Sequence, residues 1–82
     1  NINLYHVTFS NDNKTFAIIH YLNDDESIIY IFNIENDNRI DLENKNYISD
    51  LCFSPDGKYI ASCGINIDIW DIETRKIISS LS

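Results

Sequence analysis

The chain has 82 residues, with 13 acidic side chains against 6 basic ones and a formal charge of -7. That balance excludes a nucleic-acid backbone binder, which needs clustered Lys and Arg, and no apolar run approaches the roughly 20 residues of a membrane-spanning helix. Apolar residues make up 44% of the sequence, too many for a disordered segment, yet a chain this short buries only about 60% of its surface on folding, so a second source of burial is expected.

The chain reads as short runs rich in Ile, Tyr, Phe and Val, bounded by Asn, Asp, Ser, Gly and Pro, with no sustained helical spacing of apolar residues. Strands are expected over residues 3–9, 15–22, 27–34 and 39–42. Asn11, Asp12 and Asn13 form the first turn, where Asn and Asp tolerate left-handed φ. The polar stretch between the second and third strands is a long loop carrying Asp24, Asp25 and Glu26. The linker Glu43-Asn44-Lys45-Asn46 leads to further strands over residues 47–53, 58–63, 67–72 and 76–81. In the turn Ser54-Pro55-Asp56-Gly57, Pro55 presets φ and Gly57 accepts the positive φ at the exit. The run 67–72 carries apolar groups on both faces, Ile67 and Ile69 against Trp70 and Ile72, and so needs cover on both.

The two halves are copies of one unit. An offset of 44 aligns Leu4 with Ile48, Val7 with Leu51, Phe9 with Phe53, Ser10 with Ser54, Asp12 with Asp56, Lys14 with Lys58, Phe16 with Ile60 and Ala17 with Ala61. An offset of 38 then aligns Ile29 with Ile67, Ile31 with Ile69, Phe32 with Trp70 and Asn33 with Asp71, so the first copy holds a six-residue insertion in the Asp24-Asp25-Glu26 loop. The expected fold is all-β: two four-stranded antiparallel meanders, residues 1–45 with the long loop and residues 46–82, stacked face to face.

The run Phe53-Ser54-Pro55-Asp56-Gly57, the small Ala61-Ser62 pair and the ending Ile69-Trp70-Asp71 resemble a blade of the WD-repeat β-propeller family. The first copy resembles it more weakly, through Val7, Phe9, Ser10 and Phe32-Asn33. The family's Gly-His dipeptide and its turn Asp are missing, so of its buried hydrogen-bond network only Ser62 and Trp70 remain. The resemblance implies an arc of a propeller, a fragment of a larger domain whose remaining blades belong to the same chain or to other copies. It also implies that Phe9, Phe32, Phe53 and Trp70 are packing residues, that Asp56 and Gly57 order a turn, and that Asp71 anchors the end of its strand.

Chemistry has little to stand on. No nucleophile elbow, phosphate-binding Gly loop or metal-ligand spacing occurs in the sequence, and no catalytic, cofactor or metal residue is assigned. Cys52 and Cys63 are eleven apart without other ligands and read as small buried apolar residues. His6 and His20 lie on separate strands and read as structural or exposed. Cysteine scarcity and the lack of a leader point to an intracellular, cytoplasmic setting. In a propeller the long loop and the inter-blade linker share one rim, which makes Tyr5, Tyr21, Asp24, Asp25, Glu26 and Tyr47 candidate contacts for a protein partner, a basic one by charge. The leading expectation is a non-catalytic interaction scaffold. The alternative is an accessory propeller of a prolyl-oligopeptidase-like hydrolase, and a third reading is an arc that self-assembles into a ring.

Overall fold

The computed structural model describes residues 6–44 and 46–82; Tyr5, the start of the first expected strand and Lys45 lie outside the described residues. Eight strands follow in chain order: β1 (His6–Phe9), β2 (Thr15–Tyr21), β3 (Ser27–Asn33), β4 (Arg39–Asn44), β5 (Ile48–Phe53), β6 (Tyr59–Gly64), β7 (Ile67–Asp71) and β8 (Lys76–Leu81). They form two four-stranded sheets in the orders β1-β2-β3-β4 and β5-β6-β7-β8, every pairing antiparallel. No helix occurs among the described residues. Each sheet is a meander because each connection is a short turn rich in residues that accept turn geometry.

The turns between the first two strands of each sheet are built alike. In the first, Ser10 Oγ donates to Asp12 Oδ1 at 2.7 Å, Asp12 accepts from the Lys14 amide at 2.9 Å, and the Thr15 amide donates to Ser10 Oγ at 3.1 Å. The second repeats these bonds with Ser54, Asp56, Lys58 and Tyr59 at 2.7, 3.0 and 3.0 Å. Asn13 takes φ 61° where Gly57 takes φ 75°, so a different sequence reaches one backbone solution. The amides and hydroxyls that these carboxylates accept from favour the ionised form. Asp12 is lowered below its ordinary value chiefly by the Lys14 amide and then by Ser10, and Asp56 chiefly by Ser54 and then by the Lys58 amide.

Strands β2, β3 and β7 each end one residue before the expected position and β5 begins one residue after it, while two strands run further than expected. Strand β4 runs on to Asn44, because Glu43 pairs with Ile28 and Asn44 with Ser27. Asn44 is buried, and its Oδ1 accepts from the Asn46 amide at 2.9 Å, so it closes the strand and starts the connection. Strand β6 begins at Tyr59 and runs on to Gly64, which pairs with Ile48 across a bulge. A Cβ on Gly64 would overlap the Tyr47 carbonyl, which is why the chain carries no side chain there.

The sheets stack through one face each. Ala17, Ile19, Ile29, Ile31 and Leu42 of the first sheet meet Ile48, Leu51, Ile60 and Trp70 of the second, with Tyr21, Ile40, Phe53 and Ile72 around them. Trp70 is 5% exposed, and its Nε1 donates to the buried Ser62 Oγ at 3.0 Å. Side chains alternate along a strand, so Phe16, Ile18, Tyr30 and Phe32 occupy the opposite face of the first sheet. There Phe16 stacks on Phe32 at 5.0 Å, Phe9 sits 5.7 Å from Phe16, and the Arg39 guanidinium lies 4.9 Å over the Tyr30 ring. Phe9, at 55% exposure, is on this open face. The outer face of the second sheet carries Ala61, Ile67, Ile69 and Cys52. Both cysteines are free and neither is fully buried, Cys52 being exposed; the expectation of core cysteines fails because their face of the sheet is the uncovered one.

Candidate functional site

Strand register places the connections on two opposite rims. Tyr21 pairs with Ser27 and Ser27 with Asn44, while Ile48 pairs with Gly64. Residues 22–26, the connection after Asn44 and the turn after Gly64 therefore gather at one rim, and the four other turns at the opposite one.

The long loop at the first rim is organised by Asn23. Its Oδ1 accepts from the amides of Asp25 at 2.8 Å and Glu26 at 2.9 Å, and its Nδ2 donates to the Glu26 carboxylate at 2.9 Å. The Leu22 amide closes the base of the loop on the Glu26 carbonyl at 3.0 Å. Asp24, Asp25 and Glu26 are all exposed. Beside them, Glu26 and Glu43 face a small cavity of about 140 Å³ that Leu22, Ser27, Ile28 and Asn44 also line.

Tyr21 and Tyr47 meet at this rim with ring centroids 5.8 Å apart, and the Tyr21 hydroxyl donates to the Ile48 carbonyl at 2.8 Å. Tyr21 thus ties β2 of the first sheet to the start of β5 in the second. Burial, and secondarily the neighbouring Tyr47, pushes its phenol above its ordinary value. Tyr47 leaves about half of its surface open, at 48%. The structure brings Tyr21, Tyr47 and the acidic loop to one rim; Tyr5 lies outside the described residues.

Further groups join the rim that sequence reasoning did not single out. His6 Nε2 lies 2.8 Å from Asp50 Oδ1, linking the adjacent strands β1 and β5, and Asp50 Oδ1 also accepts from the Leu51 amide at 2.8 Å. Glu43 became a rim residue only once β4 was seen to extend past Leu42. Basic side chains are segregated: no described one lies at this rim beside Asp24, Asp25, Glu26, Glu43 and Asp50, whereas Lys14, Arg39, Lys58, Arg75 and Lys76 lie at the opposite one together with Asp12, Glu35, Asp37, Asp41, Asp56, Asp71 and Glu73, and there Lys14 pairs with Glu35 at 3.8 Å and Arg39 with Asp41 at 2.9 Å.

The second sheet holds another polar pair that the sequence did not reveal. Asp68 is buried and accepts from Ser80 Oγ at 2.6 Å. Its position two residues before Trp70, on the same face of β7, is the available signal. Among the described residues, no group of three or more His, Cys, Asp and Glu side chains could hold a metal, and no buried side-chain polar atom lacks a partner. His20 Nδ1 is 3.0 Å from the Tyr30 hydroxyl on the open face of the first sheet. The arrangement offers a surface with charge and an aromatic step, and no set of convergent reactive groups among the described residues.

Comparison with known proteins follows the same line. A family model described as "Eukaryotic translation initiation factor eIF2A" matches residues 1–82. A stretch of 37 residues is 54% identical to the general transcriptional corepressor TUP1 of Saccharomyces cerevisiae, covering 43% of this chain and 5% of that protein.

Proposed function

The chain belongs to the eukaryotic translation initiation factor eIF2A family, of WD-repeat propeller type, and from that premise we propose that it is a non-catalytic interaction scaffold whose acidic rim receives a basic segment of a protein partner. The two stacked sheets supply rigidity, and the loops supply contact chemistry. One observation carries this reading: the five carboxylates at one rim have no described basic residue among them, while five of the six basic residues lie at the other rim, where they offset most of the seven carboxylates there. Such a field steers a cationic partner toward the acidic rim, and the half-exposed Tyr47 ring offers the apolar and cation-attracting surface that interface contacts favour. The family's description directs the search for that partner to proteins of translation initiation, which also supports an intracellular setting. The Trp70-Asp71 ending and the family match favour a scaffold over an accessory propeller of a hydrolase.

The test is titration of the protein with a Lys/Arg-rich peptide and with an acidic peptide of equal length, at low and high salt. Binding of the basic peptide alone, weakened by salt and by the triple variant Asp24→Asn, Asp25→Asn, Glu43→Gln, is the expected result. Equal binding of both peptides, or a triple variant that binds as well as the parent protein, refutes the acidic-rim reading.

A further inference from the structure

The turn between β5 and β6 contains the dipeptide Asp56-Gly57, a pair with a reactivity of its own. The glycine amide can attack the aspartyl side chain, because no side chain on the following residue hinders its approach. The Gly57 nitrogen gives up its proton and bonds to Cγ of Asp56, and a carboxyl oxygen leaves as water, closing a succinimide ring. Water then opens the ring at either carbonyl. Opening at Cγ restores aspartate. Opening at the main-chain carbonyl of Asp56 routes the backbone through Cγ and leaves isoaspartate.

In the folded turn both reacting groups are engaged elsewhere. The Gly57 amide donates to the Ser54 carbonyl at 3.0 Å, and the Ser54 amide donates to the Tyr59 carbonyl at 2.9 Å, which fixes the peptide plane. Asp56 Oδ1 accepts from Ser54 Oγ at 2.7 Å and from the Lys58 amide at 3.0 Å. These donors hold the carboxyl in its ionised form, which lacks the hydroxyl that departs as water. Pro55 and Asp56 are exposed, so burial does not shield the pair, and the hydrogen bonds must. From this geometry we infer that Asp56-Gly57 is a latent site of covalent self-modification, locked while the β5–β6 turn is closed and converted to isoaspartate when the turn opens. The first sheet has the same turn, with the Asn13 amide donating to the Ser10 carbonyl at 2.9 Å. There the residue after Asp12 is Asn13, whose side chain obstructs ring closure, so the reactive version belongs to the second sheet. Isoaspartate adds one backbone carbon between Ser54 and Tyr59 and removes the carboxylate from its donors. The altered turn no longer holds Phe53 opposite Ile60. A transient opening of the turn thereby becomes a permanent one.

Ageing of the protein at neutral pH, in buffer and in urea, tests the inference. After digestion, chromatography coupled to mass spectrometry separates the aspartyl and isoaspartyl forms of the Asp56 peptide, and a protein isoaspartyl methyltransferase labels only the second. The unfolded chain is expected to gain isoaspartate at Asp56 about tenfold faster than the folded protein, or more. In urea, Asp56 is expected to react well ahead of Asp12. Ser54→Ala removes a donor to Asp56 and the acceptor for the Tyr59 amide, and in buffer it is expected to age about fivefold faster than the parent. Equal rates for the folded and the unfolded parent overturn the inference, and so does a rate at Asp12 in urea that matches the rate at Asp56. A Ser54→Ala protein that keeps the parent's far-ultraviolet circular dichroism and ages at the parent's rate overturns the lock by these hydrogen bonds. If that variant does not fold, the comparison of the parent in buffer and in urea decides.

Discussion

Trp70 and Ser62 allow the sharpest test of what holds the two sheets together. Replacing Trp70 by Ala empties an indole-sized space at a residue only 5% exposed, a change that costs about 3 to 5 kcal/mol. At about 0.05 to 0.15 kcal/mol per residue, a chain of this length has roughly 4 to 12 kcal/mol of stability in total, so the variant loses a large part of it, equivalent to a fall in Tm of about 12 to 40 °C. A cycle separates packing from hydrogen bonding. Ser62→Ala leaves the indole N–H buried without its acceptor at 3.0 Å, at a cost of about 1 to 3 kcal/mol. Trp70→Phe leaves the Ser62 hydroxyl unpaired and removes part of the ring. Making both changes strands neither group, so the double variant must be less destabilised than the sum of the single ones, by about 1 kcal/mol. The first sheet already holds the apolar version of this pair, Ile18 and Phe32, at the equivalent positions. Urea unfolding followed by far-ultraviolet circular dichroism measures all four corners, since fluorescence is lost with the single Trp. Additive losses, or a Trp70→Ala protein within about 1 kcal/mol of the parent, refute the reasoning.

Backbone and pH effects follow from the turns and the rim. Gly57→Ala should destabilise by about 1 to 2 kcal/mol because its φ of 75° is left-handed, whereas Gly57→Asn should cost clearly less, since Asn13 holds the equivalent position at φ 61°; equal losses in thermal melts contradict this. Gly64→Ala, which must displace the Tyr47 carbonyl, should be the most damaging of the three. Asp12 and Asp56 sit below their unfolded values, so their contribution is whole above the unfolded value of 3.8 and fades as pH falls through the lower folded values. Tyr21 sits above its unfolded value of 10.0, so its contribution is whole below pH 10 and is lost as pH rises from there through the higher folded value. Melting temperature against pH should thus decline at both ends, and Tyr21→Phe should flatten the alkaline limb; an unchanged limb contradicts the assignment to Tyr21.

The strands, the repeat and the turns are legible in the sequence, because these rest on local chemistry. Alternating Ile and Tyr mark half-buried strands, and Ser54-Pro55-Asp56-Gly57 spells out a turn. The pairing of Ser10 with Ser54 and Asp12 with Asp56 exposes the duplication even where Asn13 replaces Gly57. Much of the candidate rim was legible too, since Tyr21, Asp24, Asp25, Glu26 and Tyr47 all belong to connections that a meander must bring to one end. What alternation does not state is which of a strand's two faces meets the neighbouring sheet. That choice depends on contacts between residues far apart in the chain, and it alone decided that Trp70 is enclosed while its equivalent Phe32 is open, and that Cys52 faces outward. The same nonlocal packing set His6 against Asp50 and Tyr21 against the Ile48 carbonyl, and the register of β4 added Glu43 to the acidic rim. Local sequence thus specified the unit, and the stacking of one unit on the other decided which surfaces remain for a partner.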